Sequence, residues 1–294
     1  MFDRHWKLGD SRLAFRHVTT EASTATLPTL ARIGPPLVVA SVLGSTLGIV
    51  IAQFLDDLGD GLLAMILGGE AVIYNNRVEF TGATDLAWGG GFLLCLIIGL
   101  FALFIYPTQR GYGVPRLVLL WMLLHVLRQA LTQAVALPFS DDNQLSLAYN
   151  TFDVPPGLDV VIAAGGGVGL LLIALSAASA FLAFTPNRYL VANPRRRSVF
   201  VLWIAVIPVV ASAFVAIAYF LPDSLGLVLP ELPLVSVMFL ATLAAAPGTT
   251  TVLGPEDERT TSWPWGLAVF MLVALIFFLA VLQGGVSLDP RVWG

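Results

Sequence analysis

The chain is poor in charge, in lysine, in histidine and in cysteine, and each shortage removes a class of function. Charged residues make up 12% of the 294 positions, against roughly one-quarter in an ordinary soluble domain. The single cysteine, Cys95, lies in the apolar run GGGFLLCLIIGLFALFIY. An intrachain disulfide and a CxxC metal or redox motif are therefore both excluded. The single lysine, Lys7, sits in the polar amino-terminal segment, so no membrane-depth Schiff base to retinal can form. Of the three histidines, His5, His17 and His125, only His125 falls within an apolar run, which excludes a haem held by two intramembrane histidines of one chain. The window HVLRQ at 125–129 lacks the glutamate and second histidine of a zinc-peptidase HExxH helix. GxSxG is absent, and the serines of the apolar runs have no histidine base other than His125. No catalytic set and no metal-ligand set is expected, no cofactor is indicated, and the few basic residues carry no nucleic-acid motif.

What the sequence does have is apolar length. Hydrophobic residues reach 57% and mean hydropathy +0.85, and stretches of about 20 apolar residues, enough to cross a bilayer, fall near 36–55, 89–106, 116–137, 159–184, 199–220, 225–247 and 264–283. The expected fold class is all-α: a polytopic transmembrane helical bundle of about seven spans, multi-pass in the cell membrane. Its organisation reads as a polar or amphipathic cytoplasmic segment 1–34, one transmembrane domain 35–284 with an outer loop 56–88, and an outer tail 285–294. In the first segment Phe2, Trp6 and Leu13 stand at helical spacing among Lys7, Arg12 and Arg16, either an interfacial helix on anionic lipid or a polar tail. The first apolar run begins too late for a signal peptide, so the amino terminus is expected to be retained. Within the outer loop, AVIYNNRVEF suggests a hairpin about Asn75-Asn76 or an irregular segment. GLLAMILGG at 61–69 is too short to span, so it is expected to lie at the interface or form a re-entrant turn.

Orientation follows from basic residues. With the amino terminus inside, twelve of the fifteen lysines and arginines fall on the inner side, leaving Arg77 and Arg291 outside and Arg128 within the third span. The side rich in Lys and Arg stays cytoplasmic, which gives amino terminus in and carboxyl terminus out.

The third span carries a polar stripe. At about 100° per residue, His125, Arg128, Gln129, Thr132 and Gln133 share an arc of about 140°, opposite Leu123, Val126, Leu127, Ala130, Leu131 and Ala134, which suit lipid or an apolar neighbour. Near mid-membrane an arginine costs roughly 2.5–3.5 kcal/mol on insertion scales, so Arg128 needs a partner. Glu231, in the PELP of the sixth span, is the first candidate, with carbonyls freed by its two prolines as further acceptors. Asp159, at the outer end of the fourth span, is the second. The stripe is either a buried tie between helices or the centre of a site for an anionic small molecule or lipid, with His125 and the glutamines shaping it.

Small residues form two faces: Gly165 and Gly169 in the fourth span, and Ser41, Gly44, Ser45 and Gly48 in the first. Such faces let helices approach closely, and packing of these two helices on each other is expected. No inverted repeat is visible, which disfavours common transporter architectures. Two readings follow: a non-catalytic subunit or assembly partner of a larger membrane complex, whose partners are the bilayer and other membrane subunits, and a small transporter or lipid- or anion-binding protein with Arg128 and His125 in a central cavity. A lipid-directed enzyme is the weakest third.

Overall fold

The computed structural model describes residues 33–288 except 75–76, 110, 142, 153, 221–224 and 250–261, and side chains except those of 216 and 218–234. The expected amphipathic segment 1–34 lies almost wholly outside the described residues. The described chain is mostly helical, and six of its helices are long and apolar enough to cross a membrane. It is an integral membrane protein of the multi-pass helical type.

Helix α1, Pro35–Ile66, begins on two prolines in the first turn, where no backbone donor is lost, and runs for 32 residues, about 48 Å at 1.5 Å per residue. That exceeds the ~30 Å hydrocarbon thickness, so the helix carries its own sequence beyond the apolar stretch. Of the two forms expected for 61–69, the re-entrant turn is therefore corrected: Gly61–Ile66 is the continuous end of α1, because no proline occurs between Pro36 and Pro107 to break it. The helix stops at Gly68, whose φ of 86° suits glycine alone.

A hairpin follows, β1 (Glu70–Ile73) and β2 (Val78–Thr81), paired antiparallel. A third strand, β3 (Val286–Leu288), pairs with β1 in the register Ala71 with Leu288 and Ile73 with Val286. Of the outer tail expected from 285, Val286–Leu288 is thus part of a sheet ordered β2-β1-β3. Phe80 and Trp88 pack at 4.3 Å between ring centroids, and Ile73, Val78 and Leu282 close a small apolar cluster beneath the sheet.

The remaining helices are α2 (Gly90–Ile105), α3 (Val114–Ala136), the short α4 (Gln144–Tyr149), α5 (Leu158–Leu182), α6 (Pro194–Val201), α7 (Ile207–Phe220), α8 (Leu225–Ala245) and α9 (Trp265–Leu282). A π-helical turn, Leu202–Val206, joins α6 to α7 within one span. At the place of the sixth expected span stands α8, whose described apolar part, Val235–Gly248, is shorter than the others.

Helix α3 is the axis of the bundle, packed by α1, α2, α5 and α8. Its apolar arc meets neighbours instead of lipid: Leu123, Val126, Leu127, Ala130 and Ala134 are all buried. The main core gathers Trp121, Phe181, Phe200 and Phe239. The expected packing of the two small-residue faces on each other is corrected as well, since both lie against α3. A Cβ on Gly44 would meet Trp121 at 2.9 Å, and one on Gly48 would meet His125 at 2.8 Å. From α5 it is Gly166, with Gly169, that approaches Leu131 and Ala134, while Gly165 faces open space.

Candidate functional site: a buried polar core in two layers

The first layer joins α1, α3 and α7. Ser45 Oγ lies 3.1 Å from His125 Nε2 and 2.7 Å from Ser212 Oγ. One turn earlier, Trp121 Nε1–H donates to Ser41 Oγ at 2.8 Å, and that hydroxyl donates to the Ile204 carbonyl at 2.6 Å. Ile204 belongs to the π-helical turn, where wider winding leaves carbonyls seeking other donors. His125 stacks on Trp121 with ring centroids 5.5 Å apart. A serine beside a histidine has the atoms of a nucleophilic pair. Here His125 is fully buried, its Nδ1 has no partner among the described residues, and the Ser45 contact ties α1 to α3 and α7.

The second layer lies nearer the sheet. Asp56, Asp57 and Asp60 are 1%, 3% and 0% exposed, on the part of α1 that begins about 32 Å from its start. Gln129 Nε2 donates to Asp56 Oδ2 at 3.1 Å and Gln133 Nε2 to Asp56 Oδ1 at 2.8 Å. Arg128 Nη2 donates to Gln129 Oε1 at 2.9 Å, linking the guanidinium to the carboxylates through one amide. Asp60 Oδ1 accepts the Gly91 N–H at 2.6 Å, at the start of α2, where the helix dipole favours negative charge. The approach depends on glycine. A Cβ on Gly59 or Gly90 would strike the facing backbone, and one on Gly91 would strike the Asp56 carboxylate.

The structure therefore buries His125, Arg128, Gln129, Thr132 and Gln133 together and divides them between the layers. Thr132 returns its hydroxyl to the Gln129 carbonyl at 3.1 Å. Asp159 is half-exposed in the first turn of α5, apart from this buried group, and the Glu231 side chain lies outside the described residues. Sequence reasoning missed the three aspartates. Following a run of hydrocarbon length they read as loop, yet Asp56 and Asp60 stand four residues apart, and helical spacing with no breaker was the available signal. Ser212 gave no signal, since a lone serine in an apolar run has no pattern around it.

Fold and site together define a class, the polytopic helical membrane protein with an internally bonded polar core. No protein-family model, curated protein or solved structure matches the chain.

Proposed function

We propose that this protein is a non-catalytic, seven-span subunit or assembly partner of a larger complex in the cell membrane, amino terminus inside and carboxyl terminus outside. The observation that carries the reading is the helix-to-helix bonding of the polar core: Ser45–His125–Ser212, Trp121–Ser41, and Arg128 through Gln129 to Asp56. These side chains tie helices of one chain, as buried polar groups in lipid do. The competing reading, a site for an anionic molecule at Arg128, is disfavoured because three carboxylates share its layer.

Parity supports the seventh span. Pairing of β3 with β1 places the ends of α9 and α1 on one side, so an even number of crossings separates them. Five of the six span-length helices lie between those points, and α8 supplies the sixth crossing. Orientation draws on the charge rule: Arg116, Arg188, Arg195, Arg196 and Arg197 stand at the end where α3 and α6 start, and Arg77 stands on the hairpin at the other end.

The test is purification at native abundance in mild detergent, with mass spectrometry of whatever co-migrates. A stoichiometric protein partner is expected. A homogeneous species containing this chain alone would overturn the reading.

A further inference from the structure

Helix α1 buries three carboxylates in one layer, and one of their oxygens, Asp60 Oδ2, has no hydrogen-bond donor among the described residues. We propose that Asp56, Asp60 and Gln133 form a site for one Na+ ion, enclosed between α1, α2 and α3. Both carboxylates converge on Gly91: Asp60 Oδ1 accepts its N–H at 2.6 Å, and a Cβ at that position would strike Asp56 Oδ1. Gln133 joins them from α3. Its Nε2 donates to Asp56 Oδ1 at 2.8 Å and to Gln144 Oε1 at 3.3 Å, which fixes the other amide atom as the oxygen. That Oε1, on a side chain 6% exposed, has no hydrogen-bond donor among the described residues, and neither has Asp60 Oδ2. Buried acceptors without donors are costly. Two of them beside a carboxylate are satisfied by a cation, not by an anion or a second acceptor.

Charge points the same way. Asp56, Asp57 and Asp60 share their layer with one basic side chain, Arg128, among the described residues. The start of α2 adds the equivalent of about half a positive charge there, and three buried carboxylates in one layer favour a bound cation over an anion. The donors are hard oxygens, which select alkali or alkaline-earth ions over transition metals. Among the described residues no three acidic, histidine or cysteine side chains gather as a metal centre, and Ca2+ takes 6–8 oxygens, so a monovalent ion fits the donor set. The close packing of Gly59 on Gly90 favours a small one.

The experiment uses the full chain in detergent in mildly alkaline buffer, with NaCl exchanged for choline chloride at constant ionic strength. Expected is a saturable rise in melting temperature with Na+, larger than with K+, that Asp60→Asn abolishes. Gln133→Met, which deletes the neutral oxygen together with the Nε2 donor to Asp56, should raise the half-saturating Na+ concentration about tenfold. Should Asp60→Asn fail to fold, binding of radioactive sodium to wild type and Gln133→Met decides. Equal melting in Na+ and choline, a shift undiminished in Asp60→Asn, or a response to protons alone would each overturn the proposal. It stands apart from the assembly reading, because a chain isolated without partners would still show the sodium shift.

Discussion

Glycine contacts on α3 differ from residue to residue, and single substitutions separate them. Gly48→Ala places a methyl 2.8 Å from His125 and 2.9 Å from the Trp121 carbonyl, an overpacking that should cost about 1–3 kcal/mol and lower the melting temperature in detergent. Gly165→Ala adds a methyl to open space and removes the glycine penalty in a helix, so it should be neutral or stabilising by up to about 1 kcal/mol. Trp121→Phe keeps the ring stack but loses the donor to Ser41. About 1 kcal/mol is expected, read by the same melt, with His125→Phe as a comparison that breaks the Ser45 contact. Much of this was legible early. A 100° period puts His125 to Gln133 on one face, but no period tells which neighbour fills it. Asp56 was misplaced because a count of twenty apolar residues ends a span, whereas the helix ends only where the backbone meets Gly68.

At the scale of elements, α6 and α8 are joined by one side chain. Arg197 donates from Nη1 to the carbonyls of Pro247 at 3.2 Å and Thr249 at 2.7 Å, and from Nε to Val191 at 3.0 Å. Those carbonyls follow the end of α8, where helix acceptors lack partners of their own. Arg197→Met should cost about 2–3 kcal/mol, with faster amide hydrogen exchange around residues 246–249 as the local signature. Arg197→Lys should restore only part of that protection, since one ammonium does not span three acceptors as a planar fork does. Spans were readable from apolar length, with their ends within a few residues except at α1, which runs eleven residues past its expected end. The π-helical turn at Leu202–Val206 was not, because a change of winding within an apolar run leaves no mark in hydropathy.

For the whole molecule the topology is open to chemical labelling. Cys95 is buried, with its thiol 3.6 Å from the Ala52 carbonyl, and Cys95→Ala gives a background without reactive thiols. In that background Thr81→Cys, exposed on the hairpin, should react with an impermeant maleimide in intact cells. Ala192→Cys, exposed at the opposite end, should react only after permeabilisation. The reverse pattern would invert the orientation, and labelling of both in intact cells would remove the odd number of crossings, α2, α3 and α5, between them. The orientation under test is the one that the distribution of lysines and arginines predicts. What it did not contain was the third strand of the sheet, which stands more than two hundred positions from β1 and whose pairing no local pattern announces.

That pairing has a consequence for biogenesis. Residues 71–73 emerge early, as the centre strand of a sheet whose second neighbour is residues 286–288, so one edge of β1 stays open while every intervening helix is inserted. Contacts of such sequence separation form late, and an unfilled edge invites wrong pairing in the meantime. Ribosome-bound chains arrested before residue 286 should therefore be the species that quality-control proteases recognise at this surface, and release of the last strand should be the step that hides it.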